Sequence, residues 1–317
     1  MRSRRKFIRN SAILSLTPLF VNGLYGCKQE ASTVKMAMDK GFTLKQFGIQ
    51  LWTVRDAMME DAKGTFKALS EYGYQQIESY QGKDGIFWGM KPQEYKTFLG
   101  DLGMNCISSH CDSNYALKRK KEDEFKQLVE DAASIGIKYL VNPFLGGIET
   151  IDGFKEAAEG FNRCGEIAKA SGIQYAYHNH SYSFREMEGQ LPQDVMMQLS
   201  DPELVEFEMD IYWVVAAGHD PVEWLKKYPK RFTLCHIKDR YKPAKIAELE
   251  KVEEVSPMFG VNASCVLGTG QIDFDTILVE ARKQGMEQWI VEQERYDDMS
   301  SMQAAQKDAD FMKKYQV

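Results

Sequence analysis

The chain has 317 residues, of which 44% are hydrophobic, 27% charged and 12% aromatic. That is enough apolar material for one large core or two small ones, and it excludes a disordered, collagen-like or small disulfide-stapled protein. The formal charge is −6, but the first 26 residues carry five Arg or Lys and no acid, so the remainder carries −11. A surface of that sign repels a phosphate backbone, and no basic run with interleaved aromatics is present, which argues against nucleic acid as a partner.

In chain order, the first element is an address. Ser3-Arg4-Arg5-Lys6-Phe7-Ile8-Arg9 sets two adjacent arginines ahead of an apolar run from Ala12 to Leu24, the pattern of a twin-arginine export signal. The run is shorter than the ~20 residues that span a bilayer, and Pro18, Asn22 and Gly23 interrupt it. Leu24-Tyr25-Gly26-Cys27 is similar to a bacterial lipobox, in which the cysteine is lipidated and becomes the new N-terminus. The expected organisation is a signal peptide over residues 1–26, a tether over 27–45 and one catalytic domain over 46–317. The expected location is the periplasm, with a lipid on Cys27 as the only membrane attachment; ordinary cleavage near the same place is the alternative. Nothing in the sequence marks an oligomeric state.

From Gln46 onward a short β-like run alternates with an amphipathic helical stretch eight times. The expected strands are Phe47 to Trp52, Tyr74 to Ser79, Asn105 to His110, Lys138 to Pro143, Ile173 to His178, Val205 to Asp210, Phe232 to Ile237 and Gln288 to Glu292. Helical spacing is clearest over Glu122 to Ile135 and Phe154 to Ala170. Glycines such as Gly73, Gly103, Gly136, Gly172 and Gly285 stop helices just before strands, and Pro92 and Pro221 sit where a first helical turn begins. Eight such units in about 270 residues match a closed (β/α)8 TIM barrel in a single domain. A doubly wound open sheet would carry a glycine-rich turn after its first strand, and Trp52-Thr53-Val54-Arg55-Asp56 has no glycine. Arg240 to Gly270 is too long for a plain connection and is expected to form a lid or rim. Beyond Cys27, the cysteines Cys106, Cys111, Cys164, Cys235 and Cys265 have no repeated spacing and no CxxC pair, so they read as small buried apolar residues.

A barrel of this kind builds its site on the C-terminal face, from residues that end several strands. His178, Asp210, His236 and Glu292 end strands five to eight, and period-two alternation puts them on one face with Ala176, Glu208, Leu234 and Ile290. Together they read as a mixed nitrogen and oxygen metal site, better suited to Mn²⁺, Zn²⁺, Co²⁺ or Fe²⁺ than to Ca²⁺, with Mn²⁺ favoured. His180, two residues beyond His178, is a candidate general base and an alternative metal ligand. Lys238 is a candidate stabiliser of developing oxyanion charge, or else the partner of Asp210 or Glu208 in a salt bridge. Glu78 is expected across the mouth as a catalytic carboxylate. Gln50, Trp52, His110 and Trp213 are expected to contact substrate. No Ser/His/Asp elbow and no P-loop is present.

In order and spacing, several motifs are specific together: Phe47-Gly48-Ile49-Gln50-Leu51-Trp52-Thr53-Val54-Arg55-Asp56, Tyr177-His178-Asn179-His180, Met209-Asp210-Ile211-Tyr212-Trp213 with Ala217-Gly218-His219-Asp220-Pro221, His236-Ile237-Lys238-Asp239, and Leu267-Gly268-Thr269-Gly270-Gln271-Ile272-Asp273-Phe274. Through them the chain resembles the sugar phosphate isomerase/epimerase family of xylose-isomerase-like TIM barrels, from about Phe47 to Phe311. The resemblance implies one divalent ion at the ends of strands five to eight, at the same four positions. Many members of that family place Glu where this chain has His178. The tyrosine-histidine form is similar to the branch with inosose dehydratase-like and keto-glycoside-processing enzymes.

The expected function is that of a divalent-metal-dependent sugar isomerase or epimerase acting on a carbohydrate or keto-sugar. Elimination from a 3-keto-glycoside or keto-inositol, by a lyase or dehydratase, is the first alternative. A non-catalytic carbohydrate-binding lipoprotein is the alternative of another class.

Overall fold

The computed structural model describes residues 42–117 and 121–316. The expected signal peptide, Cys27 and most of the expected tether lie outside the described residues. Eight parallel strands form a closed barrel: Gly48–Gln50, Gln76–Tyr80, Asn105–His110, Tyr139–Asn142, Gln174–His178, Val205–Asp210, Phe232–Ile237 and Gln288–Val291. Each pairs with its sequence neighbour, and the last closes on the first through Gly48 opposite Ile290. All eight expected strands form, within two residues at each end.

Two of the glycine stops show why the punctuation works. Gly73 and Gly136 follow the helices Arg55–Tyr72 and Glu122–Ile135 with φ of 103° and 88°, a left-handed conformation that costs glycine little. The expected helix from Phe154 begins three residues earlier, at Ile151, because the Thr150 hydroxyl accepts the Gly153 amide and caps that turn.

Inside the barrel, Ile107, Tyr139, Val141, Ala176, Leu234 and Ile290 form a small apolar plug. The larger apolar cluster lies between the barrel wall and the surrounding helices. Strand alternation therefore raises His178, His236 and Glu292 one layer above Ala176, Leu234 and Ile290, as the sequence implies. Register shifts occur at Ile77/Glu78 and at Phe207/Glu208, just where two buried carboxylates enter the interior. Bulges of this kind re-aim side chains beside functional sites.

The domain boundary differs from expectation. Phe42 and Leu44 are buried, Phe42 packs edge-on against Trp289 at 4.7 Å, and the Leu44 amide donates to the Tyr315 carbonyl at 2.9 Å. The folded unit thus takes in part of the expected tether, because contacts with the last strand and the C-terminal turn order a segment that has no periodicity of its own.

Between the seventh strand and the helix Phe274–Lys283 the chain forms the expected rim. Asp239–Arg240 pairs antiparallel with Ser264–Cys265, around a helix over Pro243–Leu249. The Asp239 carboxylate accepts the backbone amides of Arg240, Gly268, Gly270 and Ile272, at 2.7, 2.9, 2.9 and 3.2 Å. A side chain at Gly270 would strike Asp239 and the Arg240 carbonyl, so the Leu267 to Phe274 motif is a cradle for this carboxylate. Cys106, Cys111, Cys164, Cys235 and Cys265 are free and buried. Among the described residues no helix is long and apolar enough to cross a membrane.

Behind that cradle the Asp308 carboxylate accepts the Leu267 amide at 2.8 Å, while its second oxygen has no partner. Burial pushes its pKa up to about 8. A raised folded pKa gives stability that is present below the unfolded value, about 3.9, and is lost as pH rises towards 8. Asp308→Asn should therefore raise the melting temperature at about pH 8.5, by on the order of 5 °C, with the gain shrinking as the pH falls towards 5. Thermal melts across that range check it; a gain that grows at low pH would contradict the assignment.

Candidate metal centre and active site

Four of the chain's five histidines gather at the mouth of the barrel. The pleat brings Asp210 opposite His236 and His178 opposite Glu208. Asp210 ends its strand and uses Oδ1 to cap the helix Ile211–Ala216 through the Trp213 amide at 3.0 Å. Asn179 ties the ends of strands five and six together, its amide bonded both ways to the Asp210 backbone at 3.2 Å.

Single ligand atoms of Asp210, His236 and Glu292 lie within 4.8 Å of one another. His236 Nδ1 is 3.2 Å from Glu292 Oε2 and 3.9 Å from Asp210 Oδ2. His178 Nε2 is also 3.9 Å from Asp210 Oδ2, but His178 falls outside that tight group. It belongs to a second group, with His110, Glu208 and His236. There His178 Nδ1, His110 Nε2 and His236 Nε2 lie 3.0, 3.2 and 3.3 Å from Glu208 Oε2. Glu78 Oε1 takes His236 Nε2 at 2.6 Å and His110 Nε2 at 3.2 Å.

The expected ligand set fits a divalent ion on two observations. Asp210 Oδ2 is buried with no hydrogen-bond partner, and it faces nitrogens of both His178 and His236. Four buried carboxylates, Glu78, Glu208, Asp210 and Glu292, have one permanent cation beside them, Lys238, which of the four reaches only Asp210 and Glu292. Burying unbalanced charge is costly, and a cation relieves it. Burial, reinforced by the Glu292 charge and opposed by Lys238, pushes Asp210 up to about 7. His178 Nε2, Asp210 Oδ2, His236 Nδ1 and Glu292 Oε2 would hold the ion. Glu208 and Glu78 then bond the far nitrogens of the two histidines, which fixes ring orientation and tautomer.

The remaining expected residues divide. Trp52, His110 and His180 line a cavity of about 380 Å³ together with Tyr80, Phe144, His178, Glu292 and Glu294. His180 Nδ1 is buried and unpartnered, and its ring is stacked on Tyr182 at 5.6 Å and flanked by Trp213 and by Phe259 of the rim. Burial, aided by the Lys238 charge, lowers its pKa to about 3, so the ring is neutral.

Three expectations are corrected. Glu78 does not face the cavity: it is fully buried beneath it, holding His236 and His110. Gln50 does not reach the cavity either, since its amide donates to Glu78 at 2.8 Å and its carbonyl accepts the Trp52 amide at 3.0 Å. Trp213 is buried behind His180 and does not line the wall. Lys238 takes the alternative salt-bridge role, with Asp210 at 3.9 Å, and is paired as well with Glu294 and, at 3.1 Å, with Glu292. Its ammonium therefore neutralises ligand-side carboxylates. Glu208 and Glu294 were not among the expected site residues. Each lies two positions from an expected ligand on the same strand line, a signal that period-two alternation already carried.

With fold and site in view, the pattern of the xylose isomerase-like TIM barrel matches residues 66–315. The chain belongs to that family. The inosose dehydratase of Clostridium tetani is 29% identical over 151 residues, 47% of this chain and 50% of that protein. The chain spans about half the length of the curated relatives it matches. A sugar phosphate isomerase/epimerase from Parabacteroides distasonis superposes with a TM-score of 0.69 at 28% identity, covering 84% of this chain and 93% of that one. The structure of the IolI protein with a bound zinc atom shares the fold, with a TM-score of 0.65 at 16% identity over 85% of this chain and 99% of that one.

The two overlapping groups give distinct outcomes on substitution. Asp210→Asn should abolish stoichiometric binding of Mn²⁺ or Zn²⁺. Glu208→Gln should keep the stoichiometry and weaken affinity by roughly 10–100-fold. Metal analysis after dialysis, with circular dichroism to confirm folding, checks both. The reverse pattern would move the ion to the deeper group around Glu208.

Proposed function

We propose that the chain is a divalent-metal-dependent enzyme that moves a proton beside the carbonyl of a carbohydrate or keto-sugar, as an isomerase or epimerase. The observation that carries this reading is the convergence of His178, Asp210, His236 and Glu292 beside a cavity that His180 also lines. Elimination by a lyase or dehydratase, from a 3-keto-glycoside or keto-inositol, is the second reading, favoured by the inosose dehydratase name of the curated relative.

When bound, the ion supplies Lewis acidity towards a carbonyl or hydroxyl oxygen; Mn²⁺, Zn²⁺, Co²⁺ and Fe²⁺ suit the mixed donor set. His180, a neutral ring on the cavity wall, takes up the substrate proton, and Tyr182, Trp213 and Phe259 keep that ring in one orientation. Lys238 holds Glu292 and Glu294 in place. His110, at the cavity wall between Glu78 and Glu208, offers a donor to a substrate hydroxyl. Return of the proton to another carbon gives isomerisation, return to the opposite face gives epimerisation, and loss of a β-oxygen substituent gives dehydration or glycoside cleavage.

His180→Ala should lower kcat by about 100-fold or more while leaving metal content intact. Incubation of the Mn²⁺-loaded protein with 3-keto-glucosides in D₂O, followed by NMR, should show deuterium beside the carbonyl. A folded, metal-loaded protein that binds the sugar and exchanges no carbon-bound proton would instead be a carbohydrate-binding lipoprotein.

We also propose twin-arginine export with lipid attachment at Cys27, on the strength of Arg4-Arg5 and the Leu24 to Cys27 motif. Replacing both arginines by lysine should retain the full-length chain in the cytoplasm. Cys27→Ser should remove palmitate labelling without unfolding the barrel; unchanged fractionation and labelling would refute both assignments.

A further inference from the structure

The cavity has two unlike halves. Its polar, ionisable groups, His178, His180, Glu292 and Glu294, come from the ends of strands five and eight. The side formed by the ends of strands one to four is, apart from His110, apolar and aromatic. Trp52, Tyr80, Cys111, Pro143 and Phe144 line it. Gln81 also reaches it, but its amide is engaged by the Tyr115 hydroxyl and its carbonyl by the Asp112 amide.

Trp52 and Phe144 are 41% and 39% exposed, and among the described residues no other Trp or Phe side chain is exposed. Both line this one cavity. Neither ring is loosely placed. The Trp52 indole stands edge-on to Tyr80 at 5.2 Å, and Tyr80 stands edge-on to Trp88 at 5.2 Å. The Arg55 guanidinium lies over Trp52 at 5.0 Å and is fixed by the Trp52 carbonyl and the Tyr296 hydroxyl, each at 2.9 Å. Phe144 packs against His180, Tyr182 and Phe259. Rigid aromatic faces left open to water beside a polar centre have the form of a binding wall.

A sugar ring held at the polar half presents its oxygens there. The wall opposite offers few hydrogen-bond partners, and it suits the C–H face of a second ring or the π-face of an aromatic group. Resting on the reaction proposed above, we infer that the aromatic half is a ring-stacking subsite. The substrate it selects is a glycoside carrying a second ring, sugar or aromatic, in place of a free monosaccharide or inositol. The cavity volume of about 380 Å³ is within the range for ligands larger than one pyranose.

Calorimetric titration of the Mn²⁺-loaded protein with methyl β-D-glucoside, cellobiose and phenyl β-D-glucoside tests the subsite without turnover. The two-ring ligands should bind about tenfold or more tightly than the methyl glucoside. Trp52→Ala should erase that preference and Trp52→Phe should restore most of it, with Phe144→Ala as the independent second variant. Equal binding of all three ligands, no binding of any, or a preference that survives both alanine variants would overturn the subsite. The D₂O exchange experiment decides the reaction separately. A Trp52-dependent preference without exchange supports the subsite and removes the enzymatic reading.

Discussion

The arrangement of this barrel mouth depends on a surplus of buried negative charge. Glu78, Glu208 and Asp210 have no exposed surface and Glu292 very little, yet Lys238 is the one fixed cation among them. Bare carboxylates at such depth would be protonated or would disrupt the fold. The structure offsets the surplus in three ways. Imidazoles are threaded between carboxylates, so that burial opposes charge on His110 but Glu78 and Glu208 outweigh it and raise its pKa to about 9. Neutral donors such as the Gln50 amide and the Trp213 backbone spread the remaining charge. Glu78 Oε2, Glu208 Oε1 and Asp210 Oδ2 are left without hydrogen-bond partners, and Asp210 Oδ2 is the one of these that faces both His178 Nε2 and His236 Nδ1, where a cation fits.

The same constraint separates the parts of the site that are legible in the sequence from those that are not. Asp210, His236 and Glu292 could be placed together because strand ends and period-two alternation are local properties, and a parallel barrel preserves their height from strand to strand. Contacts across the barrel are not local. Glu78 carries the same chemistry in the sequence whether it looks into a cavity or lies beneath it, and only the bulge at Ile77/Glu78 and the closure of the barrel bring it under His236. Trp213 was expected in the wall because it follows a strand, but the Asp210 cap turns its helix so that the indole backs onto His180. At the N-terminal edge, Phe42 and Leu44 carry no pattern of their own, and their order comes from Trp289 and Tyr315, which lie far away in the sequence.

The motifs that look most like a functional signature also divide on physical grounds. His219 bonds the Phe184 carbonyl and Asp220 caps the helix Pro221–Lys227, so that stretch braces the barrel's outside. The Leu267 to Phe274 stretch wraps the Asp239 carboxylate, which directly follows Lys238. The motif is thus structural in its contacts and functional in its effect, because it fixes the end of the strand that carries His236 and Lys238.

His178 and Glu208 are best understood as one unit. Glu208 lies 3.0 Å from His178 Nδ1, which leaves Nε2 directed at Asp210. A carboxylate at position 178 would place a further negative charge against Glu208, at a depth where burial has already pushed Glu208 up to about 7. The two choices are therefore linked. An imidazole at 178 lets the chain keep an orienting carboxylate beneath the site, whereas a glutamate there would require that carboxylate to be lost or protonated. The net effect is to move one negative charge from the ion's immediate surroundings to the layer below it. A centre with less negative charge would leave a bound cation more electrophilic towards an oxygen ligand.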